Sequence, residues 1–145
     1  MNLIIKPATH KNLDEVKDLL LENNLPTADI YERDIQFLTA MLFEETVAVI
    51  GVEIHNKNGL LRSLAVKEEY KNKGIGEMMI KELITHSFSN GLKELFLLTT
   101  TADRYFEKFF FTRVERNLVP PAIKASREFS RICPASAIVM KRPLA

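Results

Sequence analysis

The apolar positions of this chain change their period several times, and each change marks an element. Leu3 to Lys6 reads as a short first strand ended by Pro7. Leu13, Val16, Leu19 and Leu20 then recur at helical spacing, with Thr9 or Asn12 available as the cap and Asn23-Asn24-Leu25-Pro26 as the stop. Asp29 to Asp34 reads as a second short helix. From there the pattern is that of strands. Phe37 to Phe43, Val47 to His55 and Leu60 to Val66 are apolar and β-branched, and Glu44-Glu45 and Asn56-Lys57-Asn58-Gly59 separate them as turns, which predicts an antiparallel meander. In the middle strand Ala48, Ile50, Val52 and Ile54 would share one face, and Val47, Val49, Gly51, Glu53 and His55 the other.

Helical period returns from Gly74 to Ser89, where Ile75, Met79 and Leu83 form one row and Ile80, Ile84 and Phe88 another, with Asn90-Gly91 as the stop. A strand over Glu94 to Thr99 follows, and a strand–helix–strand step of this length implies a parallel neighbour. The rest reads as a short helix from Ala102 to Phe109, a strand from Phe111 to Glu115, an irregular segment opening on Pro120-Pro121 with a helix to about Arg131, and a last strand from Ser136 to Lys141. No repeat, linker or low-complexity tract divides the chain, which predicts a single domain.

Composition narrows the classes. The chain has 145 residues, 46% hydrophobic and 27% charged, with a formal net charge of +1. That balance argues against a nucleic-acid binder, which carries a basic excess, and against disorder. The one cysteine, Cys133, forms no internal disulfide and fits a reducing compartment. The apolar start Met1 to Pro7 is too short for a signal-peptide core, and no run approaches the roughly 18 apolar residues of a membrane span. The expectation is a cytoplasmic protein with no membrane and no nucleic-acid partner. No Cys/His cluster has metal-ligand spacing, so no metal is expected.

The chemistry concentrates at one junction. Leu64-Ala65-Val66 closes an apolar strand, and Tyr70-Lys71-Asn72-Lys73-Gly74-Ile75-Gly76 opens a helix a few residues later. The first amides of a helix lack intrahelical partners and sit at the positive end of its dipole, so such a junction suits a phosphate group. Gly74 and Gly76 let a ligand approach the backbone, and Lys71 and Lys73 add charge. Position 79 is Met, so this is not the dinucleotide fingerprint, and no G-x-x-x-x-G-K-[ST] occurs.

This order of elements resembles that of the GNAT N-acetyltransferases over essentially the whole chain. The resemblance implies an α/β (α+β) fold, a mixed central sheet of about six to seven strands flanked by helices, filling residues 1–145 as one domain. It also implies acetyl-CoA as co-substrate. The family's Q/R-x-x-G-x-G/A motif reads Lys71-Asn72-Lys73-Gly74-Ile75-Gly76 here, with Lys in place of the planar fork of Arg or the Gln amide. Leu64, Ala65 and Val66 match the strand that pairs with the pantetheine arm, the backbone N–H near Val66 is the family's donor to the thioester carbonyl, and Thr99 and Phe106 fall in the second cofactor region. Many members place a tyrosine before E-K-x-G-F to protonate the departing thiolate. That position is Phe106 here, and the usual glycine is Phe110. Tyr105, one step around the helix, is the alternative donor; otherwise the thiolate leaves unassisted or takes a proton from water.

Two narrower resemblances bear on the amine. Leu97-Leu98-Thr99-Thr100-Thr101-Ala102 with Tyr105-Phe106 is similar to the acetyltransferase domain of N-acetylglutamate synthases. Arg116, Pro120, Ile123, Glu128-Phe129, Cys133-Pro134, Ser136-Ala137 and Leu61-Arg62-Ser63-Leu64 resemble GNAT proteins tied to arsenic resistance. Both imply a small-molecule amine that is an acidic amino acid or a glutamate-like toxin. Residues 103–131 hold seven cations against four anions, and Arg62 and Arg116 are the candidate carboxylate contacts, since a guanidinium pairs with a carboxylate bidentately. Glu53 and His55 share a strand face and are the candidate base, beside the reading of a solvated strand end. His10 and His86 read as surface helix residues. Cys133 next to Pro134 has no thiolate-stabilising neighbour, so direct attack in a ternary complex is expected. Two other readings stand beside this one: an acyl-CoA-binding regulator without turnover, and a peptide or protein acetyltransferase. A homodimer through the last strand is compatible with the fold.

Overall fold

A computed structural model describes residues 2–32, 34–126 and 137–144. In chain order the elements are β1 (Ile4–Pro7), α1 (Leu13–Glu22), β2 (Ile35–Leu42), β3 (Glu45–His55), β4 (Asn58–Val66), α2 (Ile75–Ser89), β5 (Glu94–Thr99), α3 (Asp103–Glu107), β6 (Thr112–Arg113), α4 (Pro121–Lys124) and β7 (Ile138–Pro143). Short 3₁₀ turns precede α1 and α2 and lie between β6 and α4. The seven strands form one mixed sheet in the order β1-β2-β3-β4-β5-β7-β6.

The meander and the parallel step read from the sequence are present. β2, β3 and β4 pair antiparallel, and β4 pairs with β5 in parallel. Helix α2 covers one face, where Ile75, Met79, Ile80 and Leu83 pack on Leu38, Ala48, Ile50 and Val52. Helix α1 covers the other with Val16, Leu19 and Leu20 against Ile35, Phe37 and Val49. A third cluster on that second side joins Leu60 and Phe96 to Val119, Ile123 and Val139. β3 is therefore buried on both faces, which explains its nearly unbroken apolar run.

Several expectations need correction. Residues 29–34 form no helix among those described: a turn there leads into β2, and Ile54 N–H donates to the Asp34 carbonyl. With Ile30 its one buried apolar side chain, the segment has no apolar stripe to hold a helix on the core. The middle-strand alternation breaks at Val47, which packs in the same cluster as Ala48. The register between β2 and β3 shifts at Ala40/Met41, so one extra β3 residue is accommodated there. The helix expected over 102–109 is the five residues of α3, and the strand expected over 111–115 is only Thr112–Arg113. The helix after Pro120 runs over Pro121–Lys124; its expected continuation, with Arg127, Glu128, Arg131, Cys133 and Ser136, lies outside the described residues.

Strand pairing is lost midway through the sheet. The ladder between β4 and β5 covers only Asn58–Leu60 against Glu94–Phe96. Beyond it the two strands continue, to Val66 and Thr99, with no pairing to each other among the described residues. β5 stays paired to β7 along its whole length. The diverging strand ends leave a wedge-shaped gap in the middle of the sheet.

Candidate active site

The wedge is opened by a bulge. Val49 faces Ala65 and Gly51 faces Arg62, so Ser63 and Leu64 together oppose Ile50. Ser63 takes the left-handed conformation, φ 60°, which turns the strand away from β5. A polar Arg-Ser pair inside an apolar strand was the only sequence sign of it. Gly51 on the facing strand has its own reason: a Cβ there would lie 2.8 Å from the Phe37 ring.

Two clefts meet at this gap. The first, of about 460 Å³, is lined by Leu64, Ala65 and Val66 of β4, by Tyr70, Lys71, Asn72 and Gly74 of the following turn, and by Ile75, Gly76 and Glu77 of α2. Gly74 is the N-cap of α2, with φ 81° and no side-chain cap, so the first-turn amides are left to a ligand. Asn72 is also left-handed, at φ 62°. A Cβ on Gly76 would meet only the Tyr105 hydroxyl, at 3.8 Å, so this stretch of backbone is bare on its cleft side. An uncapped helix start beside an unpaired strand edge fits a diphosphate followed by an amide-bearing arm.

The second cleft, of about 530 Å³, is lined by Asn24, Leu25 and Pro26 of the loop after α1, by Leu61 to Leu64 of β4, by Leu97, Leu98 and Thr99 of β5, and by Ala102, Tyr105 and Phe106. Leu64 and Tyr105 belong to both walls, so the two clefts adjoin there. Asn23 ties the α1 end to this region, its side-chain amide donating to the Leu19 and Val66 carbonyls at 2.9 and 3.4 Å.

On the second side of the sheet, between the two apolar clusters, lies a chain of charges. Arg62 donates to both oxygens of Asp29, at 2.6 and 2.7 Å, and through Nε to Ser63 Oγ at 3.1 Å. Its Nη1 is 3.5 Å from Glu53, and Glu53 pairs with His55 Nε2 at 2.8 Å. Asp29 and Arg62 are each 2% exposed and Glu53 is 4% exposed. Ions stripped of water to this degree persist only when paired, and these are.

The predicted residues thus divide. Leu64, Ala65, Val66, Lys71, Asn72, Gly74, Ile75 and Gly76 line the first cleft, and Thr99 and Phe106 the second. Lys73 lies in the same turn but lines neither, and Lys71 pairs with Glu68 at 3.0 Å. Glu53 and His55 do pair, but behind Arg62 and not on either cleft wall. Arg62 is on the wall, yet its fork is held by Asp29, which corrects the picture of a guanidinium waiting for substrate. Arg116 is also otherwise engaged: it donates to the Ala137 carbonyl at 2.9 Å and lines neither cleft. The sequence reading missed Asp29, Asn24, Leu25 and Pro26, because no spacing links a loop near residue 25 to a strand near residue 62.

Tyr105 packs edge-on against Phe106 and Phe109, and Lys108 lies over its ring. Burial, and then the charge of Glu77, push its hydroxyl above the ordinary tyrosine range, so it stays protonated at neutral pH and can donate a hydrogen bond. Phe106 is buried in the second cleft wall. Phe110, where the family pattern has glycine, takes the left-handed conformation at φ 68° and remains exposed with Arg142 over its ring, so the backbone keeps the bend that glycine serves.

The Acetyltransferase (GNAT) family model matches residues 5–112. The chain belongs to this family. The amino-acid acetyltransferase of Escherichia coli (strain K12) is 29% identical over 75 residues, 52% of this chain and 17% of that protein, so the chain spans less than a fifth of the length of that curated relative. In fold the chain is similar to N-acetylglutamate synthase from Neisseria gonorrhoeae complexed with coenzyme A and N-acetyl-glutamate. There the TM-score is 0.82 at 17% identity, covering 100% of this chain and 36% of that one. It is also similar to Rv2747 from Mycobacterium tuberculosis in complex with CoA and NLQ, with a TM-score of 0.80 at 19% identity over 98% of this chain and 99% of that one. Among the described residues no group of three or more His, Cys, Asp or Glu could hold a metal ion, and no helix is long and apolar enough to cross a membrane.

Proposed function

We propose that this acetyltransferase acetylates the amine of a small amino acid, of which glutamate and glutamate-like toxins are the leading class, by direct attack within a ternary complex. The observation that carries the reading is the meeting of the two clefts at Leu64 and Tyr105, beside the gap between β4 and β5. One end is an uncapped helix start, and the other is closed by the Asn24 to Pro26 loop. The first-turn amides of α2, with Lys71, would hold the diphosphate, and the free edge of β4 at Leu64 to Val66 would pair with the pantetheine amides. A backbone N–H of the same edge would meet the thioester oxygen as charge develops on it.

The amine enters the second cleft, loses a proton and attacks the thioester carbon. The C–N bond forms, the C–S bond breaks, and the proton the nitrogen sheds as it becomes an amide passes through solvent to the departing thiolate, which leaves as coenzyme A. Glu53 and His55 would take the amine proton through a bridging water, because they sit one side chain behind the wall. Tyr105, protonated and on both walls, would donate to the departing thiolate, which Phe106 cannot do. The acidic-amino-acid preference is supported by the partial sequence match to an amino-acid acetyltransferase. A role in resistance to an arsenical analogue of glutamate extends this reading and rests on the resemblance of the C-terminal stretch.

The test is turnover of acetyl-CoA with L-glutamate and its phosphinate and arsinate analogues, reading the N-acetyl product by mass. Product from any of them supports the reading. Binding of acetyl-CoA without product from these or from a broad amine panel would favour the regulator, a reading that Phe106 in the cleft wall also motivates.

A further inference from the structure

Neither the backbone nor the core requires a phenylalanine at position 110. The residue follows the end of α3: its N–H donates to the Glu107 carbonyl at 3.0 Å, and the Phe111 N–H reaches back to the Phe106 carbonyl at 3.3 Å. This is the left-handed helix-end position that favours glycine, and a side chain at φ 68° is strained there. Burial recovers little of that strain, since Phe110 is 75% exposed. The Arg142 guanidinium lies 5.8 Å from the ring centroid, itself fixed by hydrogen bonds to the Phe109 and Pro143 carbonyls. A strained, solvent-facing ring backed by a guanidinium offers a stacking face to a flat group.

The ring stands at a groove of about 230 Å³ between α2 and the end of α3. Ile84 and Phe109 give the groove apolar surface, and Lys81, Lys108 and Arg142 make it cationic; no carboxylate lines it among the described residues. Two contacts tie it to the first cleft. Lys81 pairs with Glu77 at 3.3 Å, Lys108 lies over the Tyr105 ring, and Glu77 and Tyr105 both line that cleft. At the helical rise per residue, Lys81 is about 8 Å along α2 from Gly76. Both partners of the Lys81–Glu77 pair are exposed, so it holds Lys81 weakly and a phosphate can displace it.

We infer that this groove takes the nucleotide end of coenzyme A, with the adenine stacked on Phe110 and the ribose 3′-phosphate met by Lys81 and Lys108. This rests on the proposed reading in which the first-turn amides of α2 hold the diphosphate. The occupant follows from that junction and from charge complementarity. Beyond its diphosphate the molecule carries one flat base and one further phosphate, and the groove offers one open ring and two exposed lysines.

The experiment measures binding of three ligands to the full chain by calorimetry: coenzyme A, 3′-dephospho-coenzyme A, and pantetheine 4′-phosphate, which lacks the nucleotide end. Phe110→Gly supplies the residue that the backbone favours, so it should fold as the parent does. It is expected to weaken coenzyme A and 3′-dephospho-coenzyme A about tenfold, the scale of one base–aromatic stack, and to leave pantetheine 4′-phosphate unchanged. Lys81→Met combined with Lys108→Met is expected to erase a preference of about tenfold for coenzyme A over its 3′-dephospho form. Unchanged coenzyme A affinity in Phe110→Gly, an equal loss for pantetheine 4′-phosphate, or an intact preference in the double lysine variant overturns the inference. So does a parent protein that binds coenzyme A no better than pantetheine 4′-phosphate. If both expected shifts occur and no amine is acetylated, the transfer reading falls and this one stands; acetyl transfer with neither shift gives the reverse.

Discussion

The two clefts that meet at Leu64 and Tyr105 are built from different materials. The first is made largely of backbone: an uncapped helix start, two left-handed turn residues and the edge of β4. The second is made of side chains from three separate segments, and its one charged wall residue among those described is held from behind by a buried ionic cluster. A backbone site needs only a local sequence that turns in a certain way. A side-chain site needs tertiary structure to bring its parts together. The first is thus suited to a constant ligand and the second to a variable one, and substitutions should affect the two differently.

The largest effect is expected from Arg62→Met. It leaves Asp29 and Glu53 buried without their shared cation, and removing one partner of a buried pair costs about 3–5 kcal/mol. Thermal or urea unfolding of the variant should show this loss. Removing one of the two stranded charges with Asp29→Asn in the same chain should recover part of it. A variant as stable as the parent would show that the cluster is hydrated and that the second cleft is looser than its geometry suggests.

Glu53→Gln comes next. It keeps the shape and removes the charge beside His55. With the pair as the proton route, kcat should fall about a hundredfold, while KM for acetyl-CoA stays the same. A fall confined to low pH, with recovery where the amine is already neutral, is the expected profile. Equal changes in both KM values and no change in kcat would make the pair structural.

The contrast between the clefts also explains what could be read from the sequence. The lining of the first was largely legible, because Lys71, Asn72, Gly74, Ile75 and Gly76 fall in one contiguous stretch, though Lys73 of that stretch lines neither cleft. The long periodic elements were legible as well: β5 and α2 fall at the expected positions since their apolar rows have no competing reading. The second cleft was not. Arg62 was picked for its charge and position, but its partner is 33 residues away in a segment read as helix. The Ser63 bulge and the loss of pairing past Leu60 follow from packing between strands that a single-strand pattern does not encode. Val47 shows the same limit on a smaller scale, since a one-residue register shift moved it to the other face.

A charge placed in the first cleft should separate stability from binding. Gly76→Asp puts a carboxylate in the first turn of α2, where the helix dipole favours it and where the added Cβ meets only ordinary contact with Tyr105. The fold should be as stable as the parent or slightly more so. Affinity for acetyl-CoA should fall about thirtyfold, roughly the 2 kcal/mol upper range of a charge at a helix terminus, acting now against the diphosphate. Loss of stability together with binding would mean that this turn is held by more than its own backbone.

The smallest expected effect is the one that best tests where the clefts join. Tyr105 lines both, and its hydroxyl lies beside Gly76 over the start of α2. Tyr105→Phe leaves the edge-on packing with Phe106 and Phe109 in place and removes only the hydroxyl. Coenzyme A is a fair leaving group at neutral pH, since thiols titrate near 8.5, so a proton donor is worth little there. The expected fall in kcat is about threefold at pH 7 or below, well short of the hundred-fold range of a required acid. The pH dependence gives the sign. A hydroxyl held above the ordinary tyrosine range remains protonated through neutral and mildly alkaline pH, so its contribution should not titrate away below about pH 10. If the parent instead loses activity between pH 7 and 9 and Tyr105→Phe does not, the hydroxyl titrates lower than its burial beside Glu77 allows. A change in KM for acetyl-CoA with kcat intact would assign the hydroxyl to the backbone-built cleft. A change in kcat alone would assign it to the other.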